Sequence, residues 1–489
     1  MRNWSTRWLT VTPNVISVTG ERLPTVVPDL SAPRRIHVVG VGGPGMSAVA
    51  ITLAGMGHQV SGSDIRERQV LERLRAAGVT VHIGHDRRHV HDCEVVTAST
   101  AIPADLNELD EARRRGITVT SRAGILAAIC ARTGALAVAG THGKTTTSSM
   151  LMLMLAAGGR RPGFIIGGDV ADVGTGAEWT GSEWFVVEAD ESDGTHSHLP
   201  LVGTVLTNID RDHLDHFGSF DSLVASFSEY LDRVEGPRVV CIDDPVAEPL
   251  ARRTDCVSYG LGDDARYRVV DVAATAGRQD FAIEHPGGRT EVRLPLRGIH
   301  NAVNATGAFA LAVETGVDPD AAASALSSFG GVARRFDIRA VDGGATFVDD
   351  YAHLPAEIAA VLAAARHSGD GWRRVIAVFQ PNRFNRMAEI WQDYAHCFTD
   401  ADLVVLTDIY SSGTTPIPGV TGKLVVNAVT EADPMRRVVW MRQREDLVRF
   451  LASEVGDGDV CISMGCGDIA SLPDEVVEAR LRSGRGSAA

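Results

Sequence analysis

Lysine is almost missing from this 489-residue chain: Lys144 and Lys423 are the two, within 47 lysines and arginines. Nearly every cation is therefore arginine, so a position that keeps lysine asks for a compact point charge that a planar fork cannot replace. Paired cysteines are missing too. Seven are scattered with no C-x-x-C spacing, which excludes a disulfide framework and implies reduced thiols and a cytoplasmic protein. There is no excess of positive charge. A net charge of −15 argues against nucleic acid as the main partner, although local donors can still hold an anionic substrate. No apolar run is long enough for a membrane: Met150 to Ala157 falls far short of the roughly 20 residues a span needs. No apolar h-region follows Arg2 and Arg7, so no signal peptide is expected. Short internal repeats are absent as well.

What is present centres on Ala139-Gly140-Thr141-His142-Gly143-Lys144-Thr145-Thr146-Thr147. Apolar Leu136-Ala137-Val138 before it reads as a buried strand, and the run from Met150 after it as a packed helix. A strand, a glycine turn and a helix start cradle phosphate through backbone N–H groups and the helix dipole. Lys144 fits contact with terminal phosphates and Thr145 fits ligation of Mg²⁺. The strict Walker spacing fails, because Val138 stands six residues before Lys144. The plain alternative is an ordinary Gly-Thr turn, and keeping one of two lysines there argues against it.

The length suggests three domains. Residues 1–33 read as a loosely attached arm, 34–132 as a Rossmann-like unit, 133–332 as a central P-loop ATPase-type unit with a mixed sheet, and 333–489 as a second Rossmann-like α/β unit with a disordered tail from Ser483. In the first unit, strand Ile36–Val39 runs into Gly40-Val41-Gly42-Gly43-Pro44-Gly45, then a helix from Met46, then a strand ending at Asp64. That is the full dinucleotide fingerprint, with its acid about 20 residues on. It makes Gly40, Gly42, Gly43, Gly45, Met46 and Asp64 candidate diphosphate-site residues. A nicotinamide oxidoreductase is the alternative this fingerprint alone would allow.

In the central unit, strand Trp184–Val187 leads into Glu188-Ala189-Asp190-Glu191-Ser192-Asp193. A carboxylate at a strand's end beside a phosphate loop is where a Mg²⁺ ligand belongs, and Glu188 is the candidate. His213, after strand Val205–Ile209, is a second candidate ligand, against the plain reading of a structural histidine. Residues 255–297 look like an antiparallel insertion or edge. Gly298 to Ala305 opens an Ala-rich helix whose His300, Asn301 and Asn304 either contact a nucleotide base or cap the helix. In the last unit, polar groups gather after strand ends at Asp349-Asp350-Tyr351-Ala352-His353, at Gln380-Pro381-Asn382-Arg383-Phe384-Asn385-Arg386 and at Gly465-Cys466-Gly467-Asp468.

In this order the motifs resemble the Mur ligase family, from about Arg34 to about Leu472. Gly140 to Thr147 is similar to the family's ATP loop, which accounts for the missing first glycine. The resemblance implies that Gly140, Thr141, His142, Gly143, Lys144, Thr145 and Thr146 bind ATP. It implies that Thr145, Glu188 and His213 hold Mg²⁺, and that His300, Asn301 and Asn304 contact adenine. It further implies that Arg335 meets the terminal phosphate and that Asp350 and His353 lie near ribose and substrate. Arg383 and Arg386 suit a bidentate grip on an amino-acid carboxylate. The implied reaction joins L-alanine to UDP-N-acetylmuramate through an acyl phosphate, and Gly40 to Gly45 then hold a UDP diphosphate. Lys144, His213, Arg335, Arg383, Arg386 and His353 would carry the chemistry. The family's carbamylated lysine has no counterpart between Lys144 and Lys423, which fits the alanine-adding branch. Leu354 and Asn382 stand where the family usually has histidines, and Thr195-His196-Ser197-His198 continues the acidic cluster unusually. A relative with another amino acid, peptide or UDP-sugar acid is therefore the alternative reading. The expected assembly is a monomer or homodimer.

Overall fold

In the computed structural model, residues 23–253 and 255–484 are described. Three sheets organise them, with five, ten and six strands.

The first sheet is parallel throughout, in the order 80–83, 59–64, 35–39, 95–98, 118–121. The chain turns back across Arg35–Val39, so the crevice at that strand's carboxyl end is the switch point where open α/β sheets bind ligands. The helix there is Pro44–Gly55, two residues ahead of the expected start. Proline suits its first turn, where no intrahelical N–H bond is made. Much of the expected arm, residues 1–22, lies outside the described residues. Its remainder is not loose: Ser121 N donates to Pro24 O at 2.9 Å, Thr120 Oγ1 donates to Val26 O at 2.5 Å, and Leu30 is buried. The expected disordered tail lies outside the described residues from 485 onward.

The central sheet runs 288–294, 278–285, 267–275, 256–260, 238–241, 203–206, 134–139, 184–188, 163–170, 175–178. Its middle strands are parallel and mostly apolar, as expected of strands covered on both faces. The stretch read as an antiparallel edge forms three antiparallel strands at one end. Helices Lys144–Ala157 and Ile299–Glu314 cover one face. The other face shares a continuous apolar core with the first lobe, in which Val49 and Leu53 pack with Phe185 and Leu231. The third sheet runs 337–342, 345–350, 459–464, 374–379, 403–406, 438–440, with separate apolar layers on its two faces. Among the described residues, no helix is long and apolar enough to cross a membrane.

Candidate active site

The glycine loop is built from the strand upward. Gly140 has φ +116°, and a Cβ there would meet Thr207 Oγ1 at 2.3 Å. Gly143 has φ +81° and a side chain there would press on Asn304, so both positions require glycine. Asn208 pins the loop between them: it accepts from His142 N at 2.8 Å and donates to His142 O at 3.1 Å. The helix then starts at Lys144, aiming its first-turn N–H groups out of the loop.

Lys144 Nζ donates to both oxygens of Glu191, at 3.0 and 2.9 Å, and to Gly140 O at 2.5 Å. Burial works against the ammonium, but Glu191, Asp190 and Glu188 outweigh it and keep it charged. Burial pushes the Glu191 carboxyl up to about 7, with Lys144 pulling it back. The sequence does not single out Glu191, which lies three residues past Glu188 in the same acidic run. Glu188 ends its strand as expected and accepts from Gly167 N at 2.6 Å. Burial raises its carboxyl above the usual range, against the pull of Gly167, Lys144, Arg335 and Thr145. Gly167 forms a cradle: a Cβ there would lie 2.9 Å from Glu188 Oε2 and 3.2 Å from Thr145 Oγ1. A carboxylate and a hydroxyl facing one small space are hard oxygen donors of the kind Mg²⁺ takes, so these residues fit that ion.

His213 stands apart from that pair in its bonding. It adopts φ +54°, and its Nε2 lies 3.2 Å from Asp212 Oδ2. Burial lowers its pKa, with Asp212 and Asp190 pulling the other way and Arg386 and Lys144 adding to the lowering. It lines a hollow of about 40 Å³ with Arg383 and Arg386. The two arginines expected to suit an amino-acid carboxylate differ in their surroundings there. Arg386 is nearly buried and already engaged, donating to Asp212 Oδ1 at 2.6 Å and Asn382 Oδ1 at 2.9 Å. Arg383 has φ +60° and no carboxylate partner among the described residues.

A cavity of about 690 Å³ opens between the central and third lobes. His142, Gly143, Thr146, His300, Asn301 and Asn304 line its central side, and Arg335 and Asp350 its third-lobe side. Burial holds His300 down at about 4, so it is a neutral ring. Asn301 Nδ2 donates to Arg297 O at 2.7 Å, a helix-start contact made from the cavity wall. Arg335 reaches Tyr351, 5.3 Å from its ring centre, and its charge acts on both Glu188 and Asp350. Burial pushes Asp350 up to about 6 against that charge, and its oxygens accept from Phe336 N and Ala352 N, both at 2.7 Å. Glu357, another residue the sequence did not flag, joins loop to lobe. Its carboxylate meets His142 Nδ1 at 3.1 Å, accepts from His353 N at 2.9 Å and lies 3.1 Å from His353 Nδ1.

In the first lobe, Gly40 has φ +72° and Gly42 N donates to Asp64 Oδ2 at 3.0 Å. Asp64 is buried and also accepts from Arg66 N, so it braces the glycine turn. The Met46 side chain lies in the apolar core, leaving only its backbone for a ligand. A Cβ on Gly45 would lie 3.1 Å from Arg122, whose guanidinium donates to Asp190 at 2.6 Å and Asp193 at 3.0 Å. The first-lobe glycine turn and the acidic cluster beside Lys144 thus meet at one arginine.

The fold and site define a three-lobed nucleotide-type α/β enzyme with a phosphate loop in its middle lobe. Family models match most of the chain: the Mur ligase family catalytic domain over residues 35–133, the Mur ligase middle domain over 138–312, and the Mur ligase glutamate ligase domain over 334–467. The chain is 42% identical to UDP-N-acetylmuramate–L-alanine ligase of Rubrobacter xylanophilus, over 91% of this chain and 100% of that one. It is 41% identical to the enzyme of the same name from an Anaeromyxobacter species, over 91% of this chain and 98% of that one. The crystal structure of UDP-N-acetylmuramate-alanine ligase from Thermotoga maritima superposes with a TM-score of 0.78 at 28% identity, covering 92% of this chain and 100% of the other. A murein peptide ligase from Psychrobacter arcticus shares the fold at 23% identity, with a TM-score of 0.65 over 91% of this chain and 98% of that one. The chain belongs to the Mur ligase family.

Proposed function

We propose that this chain is an ATP-dependent ligase that joins L-alanine to the carboxylate of UDP-N-acetylmuramate, in the cytoplasm, as a step of peptidoglycan precursor synthesis. Full-length likeness to two enzymes of that name supports the substrates. The observation that carries the chemistry is the placement of Lys144. Its ammonium lies among Glu188, Asp190 and Glu191, in a loop that also lines the inter-lobe cavity. We divide the working units at 33/34, 132/133 and 332/333, so that each supplies one wall of the site.

On this reading the adenine lies by His300, Asn301 and Asn304, and the phosphates lie over Gly140 to Thr146. Thr145 and Glu188 would hold Mg²⁺ across the Gly167 cradle, with His213 nearby. When bound, that ion neutralises charge on the phosphate oxygens. The substrate carboxylate attacks the terminal phosphorus and ADP leaves, giving an acyl phosphate. The alanine amine then attacks the carbonyl carbon, and phosphate leaves as the amide forms. Lys144 and Arg335 stabilise negative charge as it moves between these anions. Arg383, the unpaired fork, grips the alanine carboxylate, while Arg386 shapes that subsite through Asp212 and Asn382. Holding three reactants in register supplies several kcal/mol by orientation alone.

The test is phosphate release from ATP with Mg²⁺, UDP-N-acetylmuramate and each amino acid in turn. Alanine-dependent release supports the proposal. Release only with another amino acid or a peptide would transfer the chain to the alternative reading that Leu354 and Asn382 suggest. No release, with a change in nicotinamide absorbance, would overturn the ligase reading.

A further inference from the structure

A second chemically distinct cluster lies in the first lobe. Glu108, at the start of helix Asn107–Arg114, is fully buried, and its ion-pair partners among the described residues are all histidines. His37 comes from the central strand of the sheet and is also fully buried. His89 comes from the single turn Arg87–Val90. One ligating atom from each of His37, His89 and Glu108 lies within 4.8 Å of the other two. His89 Nδ1 lies 2.7 Å from Glu108 Oε1, a hydrogen bond that an ion would replace, and His37 Nε2 is 3.6 Å from the same oxygen. The longer separation is close to the edge of about 3.4 Å that tetrahedral bonds to zinc would set.

Each member is braced from behind. Ser61 Oγ lies 2.8 Å from His37 Nδ1, and Ser63 Oγ lies 3.2 Å from its Nε2 on the cluster side. His85 Nδ1 and Ser63 Oγ hold the other Glu108 oxygen, at 2.7 and 2.8 Å. His82 stacks on His89 with ring centres 4.1 Å apart. Outer partners of this kind orient the ligands of metal sites.

We infer that His37, His89 and Glu108 form a metal site, separate from the ATP centre, that takes a borderline divalent ion, Zn²⁺ foremost. Two imidazoles and one carboxylate select Zn²⁺ over Mg²⁺ or Ca²⁺, which prefer all-oxygen shells. The ion ties the Arg87–Val90 turn and the Asn107–Arg114 helix to the sheet. It thereby fixes the wall behind the glycine turn.

The experiment uses the full chain, stripped with chelator and titrated with Zn²⁺, and with Co²⁺ as a coloured substitute. The expected result is one equivalent of ion retained through desalting, a tetrahedral-type Co²⁺ spectrum and a higher melting temperature with Zn²⁺. His89→Asn, a partly exposed position where misfolding is not expected, should weaken retention by more than the roughly 10–100-fold that an outer partner is worth. His82→Asn should retain the ion. Absence of stoichiometric binding overturns the site, as does binding that His89→Asn leaves unchanged or that His82→Asn alone abolishes.

Discussion

At Lys144 a single ammonium answers three carboxylates, Glu188, Asp190 and the buried Glu191. Replacing it therefore acts on both stability and turnover, and the two can be separated. Lys144→Met removes charge stabilisation worth about 10²–10³-fold in turnover for one donor. It also leaves Glu191 without its partner, a loss of roughly 3–5 kcal/mol for a broken buried pair. Glu191 already titrates near 7, so it can take a proton and soften that loss. Lys144→Met with Glu191→Gln should then recover stability in urea unfolding while phosphate release stays abolished; recovery of both would remove Lys144 from the chemistry. Lys144→Arg should fail as well, because a planar fork cannot replace a point charge among these carbonyls. His142 sets a pH dependence. Burial would lower its pKa, but Asp210 and Glu357 raise it from 6.5 to about 9. A raised folded value means stabilisation that is complete below about 6.5 and lost as pH climbs through about 9. His142→Asn should be less stable than the parent at pH 6 and approach it above pH 9, as read by unfolding across a pH series. A constant gap would mean that the imidazolium is not the source.

The strand Gly163–Val170 and the strand Trp184–Glu188 run parallel, pairing Ile165 with Val187, and this register sets Gly167 over Glu188. Gly167 has no left-handed φ, so alanine there carries no backbone strain. Its methyl would occupy the space shared by Glu188 and Thr145. Gly167→Ala should raise the Mg²⁺ concentration needed for half-maximal phosphate release by about tenfold or more, a change of about 1.4 kcal/mol. Its melting temperature should hardly move; an unchanged Mg²⁺ dependence would dissociate that cradle from the ion. This element also shows what the sequence could and could not reveal. The glycine loop, its lysine and the strand-end Glu188 were legible, because each depends on neighbours within a few residues and on the rule that ligands gather at strand ends. The antiparallel edge was legible from its alternation. Gly167 over Glu188, Glu357 under His142 and Arg122 on Asp190 were not, because register and lobe packing bring them together across 21, 215 and 68 positions. The contact of Arg386 with Asp212 was hidden for the same reason, because the two lie in different lobes. His37, His89 and Glu108 come from three separate elements, so no local spacing marks them as a set.

The three lobes are not joined in the same way. The first and central lobes share one apolar core, and Gly55 packs against Trp179 across their seam. The third lobe keeps its own apolar layers and meets the central lobe through polar pairs. These are Arg386 with Asp212 at 2.6 Å, His142 with Glu357 at 3.1 Å, and Arg297 with Asp370 at 2.7 and 3.0 Å. Apolar contact is lost when surfaces part, whereas polar pairs can exchange for water, so the second seam is the one built to move. The connection across it holds two non-glycine residues with left-handed backbone, Arg334 at φ +64° and Phe336 at φ +48°, on either side of Arg335. Such positions can absorb a rotation, and here the rotation would carry Arg335 relative to the cavity. Labels on the first, central and third lobes should therefore show one fixed and one changing distance when UDP-N-acetylmuramate and a non-hydrolysable ATP analogue bind. The first-to-central distance stays, and the central-to-third distance shifts. Arg297 anchors the moving seam, paired with Asp370 and lying over Phe336 and Trp372 at 5.0 and 5.2 Å. Arg297→Met should widen the spread of central-to-third distances in the ligand-free protein and leave the first-to-central distance unchanged. If ligands instead move the first lobe against the central one, the shared core is not the rigid joint and the hinge lies elsewhere than at Arg334 to Phe336.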